Sequence, residues 1–250
     1  MSGHSKWSQI KRQKGVADAK RGQVFTKLGR EIAVAAREGG PNPDMNPRLR
    51  LAVDRARVAN MPIDTIDRAI KRAAGGGEGA SLEQITYEGY GPGGAALLVE
   101  VLTDNRNRAV AEVRNAFTRG GGSLGETGCV AWLFDQRGML TIETDGSDPE
   151  DVELQAIDAG ADDVRVDGEV VEVYTAPTEL EAVRSALEAS GAKIAAAELA
   201  MIPKTSVELS PKDAASNLRL MERLEDLDDV QKVSTNLEIS EAALAEYAER

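Results

Sequence analysis

Eight lysines and arginines, Lys6, Lys11, Arg12, Lys14, Lys20, Arg21, Lys27 and Arg30, crowd a segment that holds one carboxylate, Asp18. Cations at this density repel one another until a polyanion lies among them, so the segment reads as a phosphate-binding arm. Trp7 stands inside it. An aromatic ring in a cationic segment can stack on an unpaired base, or it can anchor the arm to a hydrophobic core, and both roles are open. A second group, Arg106, Arg108, Arg114 and Arg119, leads into the glycine run Gly120, Gly121 and Gly122. Backbone amides of such a loop can meet phosphates, although arginines spaced along a helix also make an ordinary solvated face. The candidate nucleic-acid contacts are therefore Lys6, Trp7, Lys11, Arg12, Lys14, Lys20, Arg21, Lys27 and Arg30, joined by Arg106 and Arg108. If about six of these cations engage a single strand, log affinity falls with log salt at a slope of about −4.

Bond-making chemistry is poorly supplied. His4 is the only histidine, so neither a histidine-based triad nor a two-histidine metal site can be assembled. Cys129 is the only cysteine, which removes intrachain disulfides and thiolate-rich metal sites and leaves a small buried hydrophobe as its expected role. Carboxylates are abundant, but Glu150, Asp151 and Glu153 fall where a helix N-terminus favours negative charge. Neither the glycines at 75–77 nor those at 120–122 are followed by the Lys-Ser/Thr pair of a phosphate loop. No catalytic residue, metal, cofactor or small-molecule substrate is expected.

Charge is divided along the chain. Residues 1–75 carry sixteen basic and seven acidic side chains, a net of +9, while the whole chain is at −12, so the remainder stands at −21. Opposite signs imply different partners: nucleic acid for the N-terminal part, and no polyanion for the rest. The opening residues have no apolar signal-type core, and no run of about 18 apolar residues is present to span a bilayer. A cytoplasmic location without membrane contact is the expectation.

The elements that would position these residues follow from periodicity. The first fifteen residues are polar and basic. From about residue 16 a helical stripe of Phe25, Leu28, Ile32 and Ala35 or Ala36 begins, with the cations mostly outside it. Gly39 and Gly40 stop it, and Asn46 with Pro47 supplies the N-cap and first turn of a second helix that turns Leu49, Val53 and Ala56 inward. A third, near Pro62, repeats Ile63, Ile66 and Ile70 and runs to the linker glycines 75–77. Short β-type runs follow: a hairpin of ITYEGY and AALLVEVLT, a helix over 106–119 and a strand at CVAWLF. Residues 137–202 read as βαββαβ, the ferredoxin-like order, and residues 205–235 as strand TSVELS, a helix and strand DVQKVST.

The fold class is thus α+β: an N-terminal helical domain followed by two ferredoxin-like α/β domains, the third inserted into the second. The boundaries are 1–78 for the arm and helices, 79–135 with 204–240 for the discontinuous domain, 136–203 for the inserted one and 241–250 for a C-terminal helix. One continuous mixed sheet is the alternative.

The segments SGHSKWSQIKRQKG, DAKRGQVFTKLGREI, NPRLRLAVDRARVANMP, IDRAIKRAAGG and TDNRNRAVAEVR, with GGGSLGETG, VAWLF and MIPKTSVEL, resemble the YebC family over nearly the whole chain. Cys129 stands where members often have serine. The resemblance implies three domains and a probable transcriptional regulator that binds DNA. It also implies a translational role, since mitochondrial relatives activate translation of cytochrome c oxidase subunit I and some bacterial members act on ribosomes at proline-rich stretches. The partner is accordingly DNA, or ribosomal or transfer RNA reached by the same arm.

Overall fold

The computed structural model describes residues 6–7, 18–74 and 82–249, the side chains of 18–20 excepted. Two compact units emerge: residues 134–202, and the segments before and after them taken together. The expected glycine linker at 75–77 lies outside the described residues.

In the discontinuous unit, helix α1 (Asp18–Gly39) buries Leu28, Ile32, Ala35 and Ala36, the stripe set by its helical period. Gly40 leaves the helix at φ +89°, and a side chain on Gly39 would collide with Asn46. That contact exists because Asn46 does two jobs. Its Oδ1 caps α2 (Pro47–Val58) by accepting from Leu49 N, and its Nδ2 donates to the Ala35 and Gly40 carbonyls, tying the end of one helix to the start of the next. Four residues, with Asn60 at φ +59°, lead into α3 (Ile63–Ala74). Ile66 is buried and Ile70 partly so, but Ile63 is 69% exposed: it opens the helix, ahead of the turn that packs on α1.

Strands β1 (Glu83–Tyr90) and β2 (Ala96–Thr103) form the expected antiparallel hairpin, with Tyr90 opposite Ala96. Helix α4 (Arg106–Arg119) is capped by Asn105, whose side chain accepts from Arg108 N. A two-residue strand, β3 (Ser123–Leu124), pairs with β1. After the other unit the chain returns through α7 (Pro211–Glu225) and β8 (Val230–Thr235) to the closing helix α8 (Glu241–Ala248).

The sheet order is β3-β1-β2-β8, antiparallel throughout. This is the ferredoxin-like order, with β2-α4-β3 as the first half and α7-β8 closing the second. Its composition differs from expectation in two places. CVAWLF is no strand: Cys129 and Val130 lie in a loop, Ala131–Leu133 make a 3-10 turn, and only Phe134 is extended. TSVELS contributes one parallel bridge, Val207 to Leu237. The slot reserved for it is filled by β1, which arrives already paired to β2 through a hairpin and so closes a much shorter loop.

The intervening unit runs β4 (Phe134–Glu143), α5 (Pro149–Asp158), β5 (Asp163–Asp167), β6 (Val170–Thr175), α6 (Leu180–Ala189) and β7 (Ile194–Pro203). Its order, β5-β6-β4-β7, is ferredoxin-like without amendment. Gly160 and Gly191 end the two helices in the left-handed region, and Gly168 at φ +61° turns the β5-β6 hairpin, whose register begins at Asp167 opposite Val170. Val171, Val173, Leu140 and Ile142 are buried on its sheet.

Candidate nucleic-acid interface

The acidic turn between α7 and β8, Glu225 to Asp229, gathers several of the expected phosphate ligands. Gln23 donates to the Asp226 carbonyl at 2.6 Å and to Asp228 Oδ1 at 2.9 Å, Lys27 donates to the Glu225 carbonyl, and Arg30 donates to the Asp228 carbonyl at 2.7 Å. Glutamine and cations one turn apart on α1 are all drawn to one stretch of backbone and carboxylate. Asp229 is the centre. Its side chain is 3% exposed, and it accepts from Arg30 through Oδ1 at 2.7 Å, and from Arg108 and Thr103 through Oδ2 at 2.8 Å each. Burial alone would raise its pKa, but the bonds from Arg108 and Thr103 and the charge of Arg30 outweigh it and hold the carboxyl below the usual range.

Arg108 also reaches Asp104 at 2.8 Å, and its own pKa is raised, first by the Asp229 hydrogen bond. An open cavity of about 500 Å³ lies here, lined by Arg30, Arg108, Leu227 and five carboxylates, Asp104, Glu112, Asp226, Asp228 and Asp229. Five negative groups against two positive ones repel a phosphate. Lys27, Arg30 and Arg108, expected as phosphate contacts, make these bonds within the protein.

Trp7 also turns into the protein. Its ring is 2% exposed, packed in the core of the discontinuous unit edge-to-face with Tyr247 at a centroid distance of 5.8 Å. Its Nε1 donates to Glu225 at 2.9 Å. A ring so enclosed has no face for a base, and the anchoring role is the one it fills. Lys6 beside it is half-buried. Lys11, Arg12 and Lys14 lie outside the described residues, and Lys20 is placed by backbone only. Arg21 and Arg106 are exposed.

Other cations take the outward positions. Arg37 at the end of α1, Lys71 and Arg72 at the end of α3, and Arg114 and Arg119 on α4 are exposed and have no ion-pair partner among the described residues. Sequence reasoning counted Arg37, Lys71 and Arg72 in the net charge without selecting them as contacts. The signal was present: with Ile66 and Ile70 fixing the inner face of α3, positions 71 and 72 fall outside it.

The glycine loop after α4 is built tightly. A Cβ on Gly122 would lie 2.5 Å from the Tyr90 carbonyl, one on Gly120 would meet Leu220, and Gly121 and Gly128 hold positive φ. Glu88, 5% exposed, fixes the far side by accepting from the amides of Gly128, Val130 and Ala131 at 2.6, 2.7 and 2.7 Å. Its burial raises the pKa, and the three amides more than reverse that. Those amides face a carboxylate within the protein, so they do not form a phosphate cradle. Two rings stand outside: Trp132 is 65% and Tyr90 37% exposed.

The fold and charge distribution define an α+β protein with a cationic helical end and two ferredoxin-like sheets, the chain of the second inserted into that of the first. Residues 5–76 match the family model for the TACO1/YebC protein N-terminal domain and residues 82–237 that for the TACO1/YebC second and third domain, and the chain belongs to this family. A protein of Herpetosiphon aurantiacus named "Probable transcriptional regulatory protein" is 55% identical over the full length of both chains. One of the same name from Moorella thermoacetica is 56% identical, covering 98% of each. The crystal structure of a conserved hypothetical protein from Aquifex aeolicus superposes with a TM-score of 0.83 at 47% identity, over 90% of this chain and 93% of that one. These names support a regulatory role. Among the described residues, no helix is long and apolar enough to cross a membrane.

Proposed function

We propose that this chain is a non-enzymatic, cytoplasmic regulator of gene expression that binds nucleic acid through its cationic N-terminal part, with DNA as the target its relatives' names suggest. The observation that carries the reading is the segregation of charge: +9 over residues 1–75 and −21 over the rest, with Arg37, Lys71 and Arg72 turned outward from the helical part. Phosphate contacts of this kind position a protein and supply affinity without reading sequence. Lys6, Lys11, Arg12, Lys14, Lys20, Arg21 and Arg106 complete the proposed contact set.

A ribosomal or transfer RNA is the second reading, and the exposed Trp132 and Tyr90 favour it, because unpaired bases offer faces that a duplex conceals. Crosslinking in cells, followed by sequencing of the bound nucleic acid, separates the two, with Lys11→Ala/Arg12→Ala/Lys14→Ala and Lys71→Ala/Arg72→Ala as controls. Promoter DNA that is recovered with wild type and absent with the variants supports the regulator of transcription. Ribosomal or transfer RNA with the same dependence supports a translation factor, and enrichment of neither overturns the proposal.

A further inference from the structure

Trp132 and Tyr90 share a tether. The Trp132 Nε1 donates to the Cys129 carbonyl at 3.1 Å and the Tyr90 hydroxyl donates to the same oxygen at 3.0 Å. Each ring's polar tip is therefore turned to the protein, and what it presents to solvent is its apolar remainder. A large aromatic surface left in water is unfavourable unless something covers it. The tethering loop is also stiff: Glu88 holds three of its amides, Gly125 N donates to the Glu88 carbonyl at 2.8 Å, and Ser123 pairs with Tyr90 in the sheet. A loop this constrained holds its rings in place before any partner arrives, which lowers the entropy lost on binding.

Lys204 is exposed and donates from its ammonium to the Trp132 backbone carbonyl at 3.1 Å. Arg119, exposed, ends the helix that enters the loop. Ring faces without outward donors suit a planar ligand that stacks on them. We infer that Trp132 and Tyr90 form a stacking platform for unpaired bases of single-stranded RNA. The inference rests on the nucleic-acid-binding reading above and adds to it a second contact region, distinct from the N-terminal cations. Stacking of this kind tolerates any base, since every base has a π-face.

The chain's two tryptophans make the test direct, because Trp7 is buried and Trp132 exposed. The full chain is titrated with a short oligoadenylate and with an abasic oligonucleotide of the same length, and both affinity and tryptophan emission are followed. Oligoadenylate is expected to quench the iodide-accessible emission and the abasic strand to leave it unchanged. Trp132→Ala should weaken oligoadenylate binding about tenfold, leave abasic binding as it was and preserve the salt dependence, while Trp132→Phe retains most of the affinity. Oligoadenylate binding without quenching, or undiminished in Trp132→Ala, overturns the platform alone and reassigns the rings to a protein partner. Failure of wild type to bind either strand or duplex DNA overturns the platform and the nucleic-acid reading together.

Discussion

The Trp7 indole donates a hydrogen bond to the carboxylate of Glu225, 218 positions later in the chain. The bond joins the cationic N-terminal segment to the last turn of α7, and the ring fills space against Tyr247. Trp7→Ala should therefore behave as a core truncation and destabilise the protein by about 4 kcal/mol, read from urea unfolding. Trp7→Phe, which keeps the ring and loses the donor, should cost markedly less. An unchanged urea midpoint for Trp7→Ala would show that the ring is not packed in solution.

Asp229 links α1, α4 and β2 by accepting from Arg30, Arg108 and Thr103. Because its folded pKa lies below the unfolded value, its contribution to stability is fully present above about pH 4 and is lost as pH falls through the lower folded pKa. Asp229→Asn should destabilise the protein at neutral pH by about 2 kcal/mol. The gap between wild type and variant should close as the pH falls below 4. Urea midpoints measured from pH 7 to pH 2 decide it, and a gap that stays constant with pH would contradict the assignment.

Local chemistry explains what was legible in the sequence. Asn46 before Pro47, Asn105 before Arg106, Asp148 before Pro149 and Ser210 before Pro211 each set a helix start where capping and proline geometry place it. The inner face of α1 followed from its period, and the βαββαβ order of residues 137–202 from alternation and turn glycines. CVAWLF misled because an apolar run cannot reveal that the amides of Val130 and Ala131 are taken by a carboxylate 42 and 43 residues upstream, at Glu88. The fates of Lys27, Arg30 and Trp7 were hidden for the same reason: their partners, Glu225 to Asp229, are distant in sequence, and only the tertiary fold brings them near. Charge density named a cationic surface without saying which cations the protein keeps for itself.

Glu88 should prove to be the pin of the glycine loop. Glu88→Gln retains an acceptor but loses the charge and cannot serve three amides equally. The expected result is faster hydrogen exchange at the amides of Gly128, Val130 and Ala131, with β4 in the other unit unaffected, and a loss of about 2 kcal/mol. Its depressed pKa carries the same sign as that of Asp229: the clamp is intact above about pH 4 and loosens on acidification. Protection unchanged in the variant would mean the loop is held by its glycine geometry alone.

Salt dependence separates the cations the fold uses from those it presents. Removing one phosphate-binding cation makes the slope of log affinity against log salt shallower by about 0.9 on duplex DNA and about 0.7 on a single strand. Lys71→Ala/Arg72→Ala takes away two outward charges, so the slope should fall by about 1.8 or about 1.4 in magnitude, with folding stability nearly unchanged because neither side chain is packed. Arg30→Ala/Arg108→Ala should do the reverse. These side chains already satisfy Asp229, so their loss should lower stability and leave the slope of the folded protein where it was. A slope that changes with the second pair and not with the first would move the interface onto the α1-α4 junction, and would require the Glu225–Asp229 turn to give way when nucleic acid binds.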